Sequence, residues 1–129
     1  MIIQPIKDAV LHTAASSPSR KKVGAILLYK NKIVQQAYNM DTKTHPLQAR
    51  LADVVGLSEK IYLHAEIAAL VKNKHKCDTI VVARLGGHKH NELRNAKPCP
   101  ICQLAIREAG IRNIYYTTET GFHLFKLNT

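Results

Sequence analysis

The segment Lys97-Pro98-Cys99-Pro100-Ile101-Cys102, read with His64-Ala65-Glu66 well upstream, constrains this chain more than anything else in it. Two cysteines separated by two residues, plus one distant histidine, supply three corners of a tetrahedral zinc site. The fourth corner is then left for water, which is the layout of a catalytic rather than a structural zinc. Proline is favoured in the first turn of a helix, and Ile101, Leu104, Ala105 and Ile106 follow at helical spacing. A helix is therefore predicted to begin near Pro100. Cys99 and Cys102 would lie one turn apart on one face, at the positive end of that helix, where thiolates are favoured.

His64 and Glu66 sharpen the picture. Residues two apart in mid-helix point in nearly opposite directions. Both can serve one site only where the helix starts there and the metal sits beyond its first turn. Residues 64–71, acidic at the start and apolar afterwards, read as such a start. The expectation is two helix N-termini converging on one zinc.

At 129 residues and 46% apolar content, the chain is long enough for one domain with a real core, taken as residues 1–129. No apolar run approaches a membrane span. Residues 1–5 lack the basic region and apolar run of a signal peptide. Of three cysteines, two are committed to metal, which argues against a disulfide scaffold and for a reducing cytoplasm. Cys77 opens a buried strand and reads as a structural thiol. Nineteen basic against nine acidic residues give a net charge of +10, which suits a polyanionic or phosphorylated partner. The absence of Trp leaves no evident stacking platform for single strands.

In chain order, residues 2–16 carry a helical apolar stripe, with Pro5 tolerated in the first turn. Residues 23–29 and 32–38 read as strands joined by a tight turn at Lys30-Asn31. A long polar connection, residues 39–60, holds a helical turn around 46–55. Residues 64–74 form the first zinc helix and 79–84 a strand. A second long loop spans 85–97, and the second zinc helix spans 99–109. Residues 111–117 and 122–127 are strands, with too few residues between them for a parallel crossover, so they should run antiparallel. The alternation implies an α/β sandwich around a mixed five-stranded sheet.

H-x-E followed by P-C-x-x-C is the zinc nucleobase deaminase signature. On these residues the chain resembles the cytidine deaminase-like superfamily, and the resemblance covers most of it. Residues 20–27, followed by Ile33-Val34 and Ala37-Tyr38-Asn39, are similar to the first hairpin of deoxycytidylate deaminases. The family has Gly where this chain has Ala37. His64-Ala65-Glu66-Ile67 is similar to the matching stretch of tRNA adenosine deaminases. In both groups a helix separates the last two strands, which run parallel; this sequence departs from both.

The resemblance implies a three-layer αβα fold, zinc on His64, Cys99 and Cys102, and Glu66 as a proton shuttle rather than a ligand. It implies substrate contacts at Asn39, Ala65 and Pro98, and a homo-oligomer. With two thiolates and one imidazole the zinc site is formally neutral, so a nearby base is needed, and Glu66 is the candidate. Arg20, Lys21 and Arg84 are candidates for phosphate or polymer contacts. His45, His88 and His90 lie in the two long loops near the expected mouth.

The first functional expectation is deamination of cytosine in a free nucleoside or nucleotide, with a deoxycytidylate-like substrate preferred. The alternative is a base within nucleic acid, either tRNA adenosine or single-stranded cytosine, supported by the net charge. The 85–97 loop would be a lid in one case and a strand grip in the other. Two non-enzymatic readings stand beside these. One is a structural zinc with His75, His88 or His90 as fourth ligand; the other is an idle deaminase fold that only binds.

Overall fold

The computed structural model describes residues 2–56, 62–89 and 91–127, with the side chains of residues 41–43 and 62 outside the description. Residues 57–60 of the first long connection, together with Ile61 and His90, lie outside the described residues.

A first helix, α1 (Gln4–Ala15), has proline in its opening turn and turns Ile6, Val10, Thr13 and Ala14 inward. Strands β1 (Lys22–Tyr29) and β2 (Lys32–Tyr38) follow as an antiparallel hairpin. Its two-residue turn holds Lys30 and Asn31 at φ 49° and 65°. Two successive left-handed residues match the twist of the flanking strands. The pairing shifts between Leu27 and Leu28, leaving Val34 as an extra residue on β2.

The connection after β2 is more ordered than the sequence suggested. It contains β3 (Met40–Thr44) and α2 (Pro46–Val54), and β3 pairs with β4 (Tyr62–Leu63) in a small separate sheet. Next come α3 (Ala65–Lys72), β5 (Thr79–Gly86), β6 (Glu92–Arg94), α4 (Pro100–Glu108), β7 (Asn113–Thr118) and β8 (Gly121–Lys126).

The main sheet has the order β2-β1-β5-β7-β8, with β5 and β7 parallel and the other neighbours antiparallel. The β7–β8 hairpin is antiparallel, as its short connection required. The expected count of five strands is corrected to six, because β6 also pairs with β5. The physical reason is an open edge. β7 pairs with β5 only as far as Val82, so residues 84–86 would otherwise have one unpaired side, and Glu92–Arg94 fills it. Residues 85–97 are thus partly sheet, not wholly loop.

Alternation along the strands sends residues to two helical layers. Ile26, Leu28, Val81, Ala83 and Leu85 meet Ile6, Val10 and Ala14 of α1. Ala25, Leu27, Ile80 and Val82 face the other way, against Ala65, Ala68 and Ala69 of α3 and Ile106 of α4. Complete burial of each Ile or Leu contributes about 1.5–3 kcal/mol. Gly24 permits the closest approach: a Cβ there would lie 2.4 Å from the backbone nitrogen of Ala14. On the α3 side, Leu51 and Ala52 of α2, Ile67 of α3, and Ile101, Cys102 and Ala105 of α4 lock the three helices together. That cluster fixes the beginnings of α3 and α4 relative to each other, and there the site lies.

Candidate active site

His64 is the N-cap residue of α3 and Cys99 the N-cap residue of α4, both with extended backbone. Glu66 falls in the first turn of α3 and Cys102 in the first turn of α4. This is the arrangement that the two-residue spacing of His64 and Glu66 demanded. The side chains converge. His64 Nδ1 lies 3.2 Å from Cys102 Sγ and 3.7 Å from Cys99 Sγ, and the three donor atoms lie within 4.8 Å of one another.

These donors fit zinc. Zn–S bonds of about 2.3 Å and Zn–N bonds of about 2.0–2.1 Å set tetrahedral ligands roughly 3.5–3.8 Å apart. The two nitrogen–sulfur separations, 3.2 and 3.7 Å, fall either side of the roughly 3.5 Å expected for a nitrogen–sulfur pair. Among the described residues the group has three members, and neither His75 nor His88 joins it as a fourth ligand. His75 and His88 are exposed, and His75 exchanges hydrogen bonds with Asn73 through its backbone.

The electrostatics are uneven. The Cys102 thiol donates to Cys99 and holds it as a thiolate, its pKa lowered to about 4. Cys102 is pushed up by that same bond, by burial, and by the negative charges of Glu66 and Cys99. Glu66 is only 5% exposed. Burial raises its pKa, against the opposing pull of His64. A carboxyl shifted toward neutrality can both take and return a proton.

The expected substrate contacts have structural employment. Asn39 is 8% exposed, and its amide is engaged on both sides. Oδ1 accepts from Ser17 Oγ at 2.7 Å and from the Val23 amide at 3.1 Å, while Nδ2 donates to the Lys21 carbonyl at 2.7 Å. Ala65 is fully buried as the first residue of α3. Pro98 is buried, and its carbonyl accepts from Gln103 Nε2 at 2.8 Å. Arg20 and Lys21 are exposed on the loop that Asn39 holds. His45, expected near the mouth, caps α2, its Nδ1 accepting from the Leu47 amide at 3.0 Å.

Two participants were not legible beforehand. Gln48 is fully buried, and its Oε1 accepts from the His64 amide at 3.3 Å, tying a metal-ligand candidate to α2. A polar residue inside the stripe Leu47, Leu51, Ala52 was the available signal. Thr117, also fully buried, accepts from the Arg84 amide and donates to the Arg94 carbonyl.

A three-layer fold in which two helix N-termini bring His, Cys and Cys together beside a buried Glu defines the cytidine deaminase-like superfamily. Within it, residues 4–118 match the cytidine and deoxycytidylate deaminase zinc-binding region, and the chain belongs to that family. Among solved structures, it is similar to the dCMP deaminase of cyanophage S-TIM5 in apo form. The identity is 26% and the TM-score 0.51, over 89% of this chain and 84% of that one. The same cyanophage enzyme in complex with dCMP and dUMP gives 26% identity and a TM-score of 0.50, over 90% and 83%. No curated protein matches the sequence significantly. Among the described residues, no helix is long and apolar enough to cross a membrane.

Proposed function

We propose that the protein is a zinc-dependent deaminase acting on the cytosine of a free nucleotide of the deoxycytidylate type. The observation that carries this reading is the buried Glu66 beside His64, Cys99 and Cys102, whose donor atoms lie within 4.8 Å. The three donors would hold zinc and leave its fourth position for water. When bound there, zinc supplies Lewis acidity and lowers the pKa of its water toward neutrality.

The remaining chemistry belongs to the chain. Glu66 takes a proton from the attacking water, gives it to the ring nitrogen, and later protonates the departing amine. At C4 a C–O bond forms and the C–N bond breaks, so cytosine and water become uracil and ammonia. Glu66 acts as shuttle and not as ligand, and its burial keeps its proton affinity high enough for both directions. Ala65 lies between ligand and base, where its backbone would meet the base being deaminated. Pro98 would line the opposite side, and Asn39 would hold the loop carrying Arg20 and Lys21 against the substrate. The cyanophage enzyme's complex with dCMP and dUMP supports a nucleotide substrate.

The net charge of +10 supports a second reading, a base presented within a nucleic acid. Ammonia release from cytidine, deoxycytidine, dCMP, adenosine, single-stranded DNA and tRNA separates the two. Turnover of dCMP above all polymers is expected; turnover on polymers alone would overturn the free-nucleotide assignment. Assembly as a homo-oligomer is part of the proposal, and light scattering at a mass of one chain would refute it.

A further inference from the structure

Arg84 and Arg94 sit directly opposite each other in the β5–β6 pair. Opposed residues in an antiparallel ladder share a face, and like charges so placed repel. The face can be identified. Val82, two residues before Arg84, and Ala96, two after Arg94, lie in the same apolar cluster as Ala65, the first residue of α3. Val23, opposite Arg84 on β1, packs against that cluster too. Both arginines therefore stand on the α3–α4 side of the sheet, beyond the core and toward the end where α3 begins. Distance agrees: five strand steps from Thr79 cover about 17 Å, and α3 is about 12 Å long.

The pair is under-neutralised. Arg94 reaches Glu92 at 3.1 Å, and among the described residues this is the one ion pair made by either arginine. Arg84 Nε is the one buried side-chain nitrogen or oxygen among the described residues that lacks a hydrogen-bond partner. Local backbone is shaped around these groups. A Cβ on Gly86 would stand 2.9 Å from Arg94 Cγ, and one on Gly87 would stand 1.8 Å from a Glu92 carboxylate oxygen. Thr117 braces both strands, accepting from the Arg84 amide at 3.1 Å and donating to the Arg94 carbonyl at 2.8 Å. A sheet extension thus holds two like charges together on the catalytic side.

We propose that Arg84 and Arg94 form an anion subsite that binds the phosphomonoester of the substrate, which makes the enzyme selective for a nucleoside monophosphate over the nucleoside. This rests on the deaminase reading above. Guanidinium forks match phosphate oxygens in pairs, and an anion between the two arginines would satisfy Arg84 Nε and remove their repulsion. Arg20 and Lys21, exposed on the Asn39 loop, are the less constrained cations.

The test compares wild type, Arg84→Gln, Arg94→Gln and Arg84→Lys in zinc-containing full-length protein. It reads the ratio of kcat/KM for dCMP to that for deoxycytidine, and dUMP binding by calorimetry. Each Gln variant should lower the ratio and weaken dUMP about 10- to 100-fold, as expected for loss of a charged hydrogen bond. Arg84→Lys should fall between, since it keeps charge without the fork. Arg94→Gln keeps the test decisive should Arg84→Gln fail to fold. Ratios and dUMP affinities within twofold of wild type in both Gln variants would overturn the proposal. So would a loss seen only with a single-stranded oligonucleotide. Failure of the deaminase reading looks different: wild type turns over neither substrate, while the dUMP binding comparison still reads the subsite.

Discussion

Asn39→Ala should cost the protein stability as well as activity. The Asn39 side chain makes three hydrogen bonds, at 2.7, 3.1 and 2.7 Å, to Ser17, Val23 and Lys21. Two tie the end of β2 to the loop entering β1, and the third ties it to β1 itself. The backbone bond from the Asn39 amide to the Val23 carbonyl would survive, as would the Ser17 and Ser19 bonds to the Asn39 carbonyl. At about 1 kcal/mol each, the lost bonds amount to about 3 kcal/mol. That is a large share of the roughly 5–15 kcal/mol by which domains are stable. At roughly 3–5 °C per kcal/mol for a domain of this size, Tm should fall about 9–15 °C. Urea unfolding at fixed zinc concentration reads the change directly, with the m-value unchanged. A loss below about 1 kcal/mol, with activity nonetheless abolished, would refute this reasoning and make Asn39 a substrate contact alone.

Other perturbations follow from the same geometry. Gly24→Ala places a Cβ 2.4 Å from the Ala14 backbone nitrogen and should destabilise by about 1–3 kcal/mol, measured by denaturant unfolding. Gln48→Ala removes the acceptor for the His64 amide and should weaken zinc about 10- to 100-fold in a chelator competition, while Cys99→Ala and Cys102→Ala should abolish stoichiometric zinc. Cys77 has its pKa raised by burial and then by Asp78, so iodoacetamide should modify it slowly at pH 8 and faster after Asp78→Asn. Because the folded thiol holds its proton more tightly than the unfolded one, its contribution makes stability fall as pH rises past about 9. Cys77→Ala should remove that contribution from the alkaline limb of a stability–pH curve.

The sequence showed the candidate metal site more plainly than its supports. Cysteines at fixed spacing and an H-x-E that only a helix start can use leave few geometries, and the structure puts His64 and Cys99 at N-cap positions. The antiparallel last hairpin was legible for a similar reason, because loop length bounds direction. β6 was not: three residues, Glu92–Arg94, carry no periodicity, and their pairing is decided by the free edge that β7 leaves on β5. Asn39 and His45 show a second limit. Residue type announced hydrogen-bonding capacity, but which partners use it depends on the Ser17–Val23 loop and on α2. Gln48 and Thr117 act through backbone groups, which no side-chain motif records.

The most direct measurement follows the loss of cytosine absorbance from dCMP with zinc-containing wild type and Glu66→Gln, zinc content being determined for both. The account predicts conversion to dUMP and ammonia by wild type. It predicts a rate about 10²–10⁴-fold lower in Glu66→Gln, with zinc retained, because Glu66 moves protons and does not hold the metal. Undiminished turnover in Glu66→Gln, or zinc lost with the carboxylate, would contradict it.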